Sequence, residues 1–112
     1  MLIYKIFRAP EWAALQENGS TTGAPIDVTD GYIHFSTAKQ APETAAKHFA
    51  GQDGLMLITC SASDFGDDLK WEVSRGGDKF PHLYRALQMS DVLLHKPLPL
   101  FEGVHQFPDG ME

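Results

Sequence analysis

The sequence predicts an α+β protein in which helices pack on small, mainly antiparallel sheets. Three observations lead there. Apolar or alternating runs of strand length recur at residues 2–7, 31–37, 55–60 and 69–74. Two stretches, 10–19 and 42–51, open with proline and close on glycine, the usual punctuation of a helix. Both lie in the first half, and the remainder is strand-like, which is not the regular alternation of a parallel α/β fold.

Leu2 to Phe7 is apolar and rich in β-formers, as befits a strand buried on both faces. Pro10 can open a helix at its first position, Glu11 is placed well against the macrodipole, and Gly19 can end it, with Trp12 and Leu15 inward. Asn18 to Pro25 is small and polar and reads as an exposed loop. After the Asp30-Gly31 turn signal, residues 31–37 alternate, sending Ile33 and Phe35 to the core and Tyr32, His34 and Ser36 to the opposite face.

Pro42 and Glu43 begin a second helix that runs to about Phe49. Thr37 and Gln40 have the spacing of a capping box, but Pro42 argues for the later start. Leu55 to Cys60 is a buried central strand by its length and β-branching. Leu69 to Ser74 alternates, placing Leu69, Trp71 and Val73 in the core and Lys70, Glu72 and Ser74 opposite. After the turn at residues 75–78, Phe80 to Tyr84 carries a proline and reads as a loop or edge strand, and Met89 to Leu94 as a last strand.

A chain of 112 residues is one domain, 1–112, since a second core would not fit. Hydrophobic residues at 43% and charged residues at 21% exclude wholesale disorder, and no run reaches the roughly 18 apolar residues of a membrane span. Fifteen acidic against nine basic residues give a charge of -6, the wrong sign for gripping nucleic acid. The lone Cys60 has no internal disulfide partner, and residues 1–5 lack the basic and apolar regions of a signal peptide, so the cytoplasm is the expected compartment. No long apolar stripe is left over once the core is counted, so a monomer is expected.

Three clusters can carry chemistry. His34 and Ser36 stand roughly 7 Å apart on one strand face, close enough to contact one ligand, and a histidine there can donate to an oxygen or take a proton. The plain alternative is a half-buried histidine satisfied by a backbone carbonyl. Glu72 beside Trp71 is a carboxylate whose charge desolvation can disfavour, a base or a ribose ligand, unless it is a solvated residue paired with Lys70 or Arg75. Phe80-Pro81-His82-Leu83-Tyr84 sets a histidine among rigid and aromatic residues, as a binding loop or as a plug over a sheet end. A metal site would have to be assembled from His34, His82 and Glu72 by folding. With no local metal spacing, none is expected. Cys60, ending an apolar strand without a basic neighbour, is expected to be an inert buried thiol.

Taken together, Ile3-Tyr4-Lys5-Ile6, Trp12, Gly31 to Thr37 with Gln40, Trp71-Glu72 and Phe80 to Tyr84 resemble one bacterial family, catalogued as domain of unknown function 952, over residues 2 to 100. The resemblance implies a fold similar to the ADP-ribosyltransferases, whose two small sheets form a split cleft for NAD. The Ile33-His34-Phe35-Ser36-Thr37 segment also resembles a strand of the RNA 2'-phosphotransferases. Where those enzymes have an arginine or histidine on the first strand, this chain has Tyr4 and Lys5.

The implied site is a cleft with Glu72 and His34 as catalytic residues, and with Tyr4, Lys5, Ser36, Thr37, His82 and Tyr84 binding a small molecule. NAD is a possible cofactor, and the implied chemistry is ADP-ribosyl or phosphoryl-type transfer. The alternatives are a non-catalytic ligand-binding module or a protein-interaction domain using the aromatic segment around Tyr84.

Overall fold

The computed structural model describes residues 1–112, the Arg75 side chain excepted. In chain order its elements are β1 (Leu2–Phe7), α1 (Ala9–Asn18), β2 (Ser20–Thr21), α2 (Pro25–Asp30), β3 (Ile33–His34), α3 (Ala41–His48), β4 (Leu55–Ser61), β5 (Leu69–Val73), β6 (Lys79–Leu83), β7 (Leu87–Gln88), β8 (Leu94–Leu98), β9 (Leu100–Phe101) and β10 (Val104–His105). The arrangement is α+β with small antiparallel sheets.

The two continuous apolar runs pair with each other. β1 lies antiparallel to β4 from Leu2 opposite Ser61 to Phe7 opposite Met56, and β8 completes a sheet of order β1-β4-β8. Both faces of this sheet are covered, which is why the runs do not alternate. Ile3, Phe7, Ile58 and Cys60 enter one core cluster, and Tyr4, Ile6, Leu55 and Leu57 enter another. The second sheet has the order β3-β6-β5. The two sheets are joined by a bridge between Tyr4 and Ser36, which exchange both backbone bonds at 2.8 Å.

Helix α1 begins and ends as its residues dictate. The Glu11 carboxylate accepts the Arg8 N–H at 3.1 Å, and Gly19, in the left-handed region at φ +78, returns its N–H to the Leu15 carbonyl at 2.8 Å. For α3 both sequence signals hold. The helix starts at Ala41, and one turn earlier the capping box forms, Thr37 N–H to Gln40 Oε1 at 3.0 Å and Gln40 N–H to Thr37 Oγ1 at 3.2 Å. Pro42 does not conflict with it, because its missing N–H falls in the first turn, where a helix has no acceptor to offer.

Four expectations are corrected. Residues 18–25 are not a bare loop, since Ser20–Thr21 pairs with β7, and Pro25 opens α2, a further helix beyond the two expected. Its signal was Pro25 at the start and Asp27 as a cap. Ile26 and Val28 are exposed, so it has no apolar stripe to read. The segment Phe80 to Leu83 is central, not an edge. Pro81 is tolerated there because residue 81 directs its backbone bonds toward β3. Its carbonyl accepts the Phe35 N–H at 2.9 Å, and the ladder with β3 stops at the position where Pro81 has no N–H to give.

Met89 to Asp91 is a 3-10 turn, and the last long strand starts at Leu94 and runs through Pro97, which an edge strand permits. Finally, Trp71 is 38% exposed and Val73 is 66% exposed. Alternation put them on the correct face, but β5 is the sheet edge, and the core beneath that face is filled by Pro81 and Leu83 of the central strand. Ile33, Phe35 and Leu57 are buried as expected. Among the described residues no helix is long and apolar enough to cross a membrane.

Candidate functional site

The site begins with a carboxylate the sequence did not mark. Gly31, left-handed at φ +85, ends α2 by donating its N–H to the Asp27 carbonyl at 2.9 Å and turns the chain into β3. His34 is thereby brought back over Asp27, whose side chain is fully buried. Asp27 accepts the Ala24 N–H at 2.7 Å, the His34 N–H at 3.0 Å, His34 Nδ1 at 2.6 Å and Lys5 Nζ at 2.8 Å. Burial pushes its pKa up, but the bonds from His34 and Lys5 outweigh burial and hold it below the usual carboxylate value. Burial lowers the Lys5 pKa in spite of Asp27. Gly23 leaves room for this carboxylate, since a Cβ there would collide with it. The other ring nitrogen of His34, Nε2, lies 3.0 Å from Asp30 Oδ2, so both bonds form together only when the ring carries two protons.

The second centre stands directly across the sheet. His82 is the register partner of His34, and their rings meet edge to face with centroids 5.3 Å apart. Glu72 Oε1 accepts His82 Nδ1 at 2.9 Å and the Tyr84 hydroxyl at 2.6 Å. Tyr32 packs over the cluster, with centroids 4.2 Å from His82, 4.6 Å from His34 and 5.1 Å from Tyr84. Burial lowers the His82 pKa, the bond to Glu72 works against that, and the charge of His34 lowers it further. The net result is a neutral ring at neutral pH, whose Nδ1–H donates to the ionised Glu72. Its Nε2 is buried with no partner among the described residues.

A cleft of about 610 Å³ is lined by residues of β1, β3, β6, α2 and α3. Tyr4, Lys5, His34, Ser36 and His82 line it, so the structure brings these five candidates together. Tyr4 is otherwise a core residue, 3% exposed, and its hydroxyl accepts the Glu112 N–H at 3.2 Å. The Ser36 hydroxyl is shared with Thr44 Oγ1 at 2.9 Å. Glu72 and Tyr84 stand behind His82 and are not part of the lining. Thr37 is engaged in the cap of α3.

The expectation that desolvation raises the Glu72 pKa is overturned. Tyr84 first, then His82, hold it below the usual carboxylate value, so Glu72 is ionised at neutral pH and a weaker base than a free carboxylate. Its alternative partner Arg75 has its side chain outside the described residues. No group of three or more histidine, cysteine or acidic side chains among the described residues is placed to hold a metal ion, so His34, His82 and Glu72 do not make such a site. Cys60 is buried, and burial raises its pKa to about 12.

Asp27, Asp30 and Tyr32 were missed as site residues. Pro25 followed by Asp27 was a readable helix cap, and Asp30 precedes His34 by four residues, but nothing in sequence announced that one capping carboxylate would also hold Lys5 from β1.

The X-ray crystal structure of protein CC0527 from Caulobacter crescentus is similar over 95% of this chain and 94% of that one, with 50% identity and a TM-score of 0.91. The same figures hold for a double mutant of that protein, and its solution NMR structure matches with a TM-score of 0.85, 50% identity and coverage of 94% and 91%. No curated protein matches. The family model described as protein of unknown function (DUF952) matches residues 6–95, and the chain belongs to that family.

Proposed function

We propose that the cleft binds a small molecule and that His82 Nε2 takes a proton from it. The observation that carries this reading is the Nε2 atom itself, buried, without a partner among the described residues, on a ring that lines the cleft while its Nδ1 is bound to Glu72. A buried polar atom of this kind calls for a partner, and a neutral imidazole whose Nδ1–H is held by a carboxylate presents a basic lone pair at Nε2.

In the transferase-type reading, a ligand hydroxyl loses its proton to Nε2. The O–H bond breaks, the N–H bond forms, and the electron pair stays on oxygen, which becomes the nucleophile toward a second substrate. Glu72 acts as the positioning residue, fixing the tautomer and facing the imidazolium that forms, and Tyr84 keeps Glu72 ionised. His34, with Nδ1 on Asp27 and Nε2 on Asp30, has both ring nitrogens occupied and leaves His82 as the ring with a nitrogen to offer. A cleft lined by residues of both three-stranded sheets, which meet at the Tyr4–Ser36 bridge, supports an ADP-ribosyltransferase-like split cleft.

NAD fits less well. Its diphosphate needs cations, and Lys5 and Arg8 are already bound to Asp27 and Glu11. No step is therefore routed through NAD.

The test is the His82 ring signal. Adding adenosine or nicotinamide riboside at millimolar concentration is expected to move the Nε2 resonance and raise the thermal midpoint, with both effects lost in His82→Asn. A thermal shift that survives His82→Asn would overturn the assignment.

A further inference from the structure

The charge arrangement of the cleft points to what the ligand lacks, an inference that rests on reading His82 as the ligand-facing base. Both long cations of the lining are committed. Lys5 Nζ sits 2.8 Å from the fully buried Asp27. Arg8 makes a forked pair with Glu11, Nη2 to Oε2 at 2.7 Å and Nε to Oε1 at 3.1 Å. Glu11 is 9% exposed and also accepts the Arg8 backbone N–H, so the carboxylate is held in place beside the guanidinium by the first turn of α1. A phosphate entering here competes for Nε and Nη2 with a carboxylate already in the same forked geometry.

The polar part of the lining includes two acceptors, His82 Nε2 and Asp30, whose side chain is 36% exposed. Acceptors select hydroxyl and N–H donors. The same lining includes Ile6, Pro25, Ile26, Phe49 and Phe80, apolar surface suited to a flat ring.

We propose that the ligand is a phosphate-free molecule of the nucleoside class, with hydroxyls directed to His82 and Asp30, and that Glu11 is the specificity-determining residue that excludes phosphorylated relatives by holding Arg8. Glu11→Gln frees the Arg8 charge while keeping an oxygen to cap α1, so it separates specificity from folding.

The experiment titrates inorganic pyrophosphate into the full chain at low salt, comparing wild type, Glu11→Gln, and Glu11→Gln combined with Arg8→Gln. Binding is read by calorimetry and by the ring signals of His34 and His82. Glu11→Gln is expected to bind pyrophosphate at least about tenfold more tightly than wild type, with the ring signals moving, and the gain is expected to vanish when Arg8 is also replaced. Equal binding by wild type and Glu11→Gln, whether strong or absent, overturns the role of Glu11. A gain that depends on Arg8 but leaves the His82 signals still places the anion away from His82. That result overturns the reading of His82 while sparing the control of Arg8 by Glu11.

Discussion

Glu72 Oε1 accepts both His82 Nδ1 at 2.9 Å and the Tyr84 hydroxyl at 2.6 Å, and this one oxygen decides which histidine nitrogen is left for the cleft. At neutral pH His82 is therefore expected in the tautomer protonated at Nδ1. Nitrogen-15 spectra of the ring report this directly, and a ring protonated at Nε2 would remove the basic lone pair.

Tyr84→Phe deletes the shorter of those two bonds. The Glu72 titration is expected to rise toward the ordinary value of about 4.3, and Tyr84, whose own pKa that bond raises to about 12, no longer contributes. Carbon-13 detection of the side-chain carboxyl checks it, with an unchanged midpoint showing that Tyr84 is not what holds Glu72 down.

Asp27→Asn is expected to cost about 3 to 5 kcal/mol, because it leaves Lys5 buried without its countercharge. Replacing both, as Lys5→Met with Asp27→Leu, is expected to cost less than the sum of the single changes. Urea denaturation of the four proteins measures the coupling. Additive losses would mean that the two side chains act independently.

Acidification is expected to weaken the fold in separate windows. His82 has its native pKa lowered, so below about 6.5 the unfolded chain binds the extra proton first and stability falls as pH drops toward the native value. Asp27 is also lowered. Its contribution is present above about 3.9 and is lost as pH falls through the native value. Denaturation curves for wild type and His82→Gln between pH 5 and 8, roughly the histidine range, should converge toward the acid end. Parallel curves would contradict a lowered His82 pKa.

Trp71→Ala is expected to cost about 1 kcal/mol, well below the roughly 3 to 5 kcal/mol for Phe35→Ala, because Trp71 lies on an edge strand and Phe35 is 1% exposed. Chemical denaturation of both distinguishes edge from core.

Much of this was determined along the chain. The apolar runs at 2–7 and 55–60 read as buried strands by their length and β-branching, and the alternation at 32–36 sent Ile33 and Phe35 inward and His34 and Ser36 to the cleft side. The caps at Gly19 and at Thr37 with Gln40 are local hydrogen-bond chemistry, so they too were readable. Tertiary structure decided the rest. Whether a strand is central or an edge depends on its neighbours, and that alone buried Phe80 to Leu83 and exposed Trp71 and Val73. The state of each titratable group was decided in the same way. A pKa follows from burial and from charges brought close by folding, and Asp27 reaches Lys5 across 22 residues and Glu72 reaches His82 across 10, distances over which sequence carries no electrostatics.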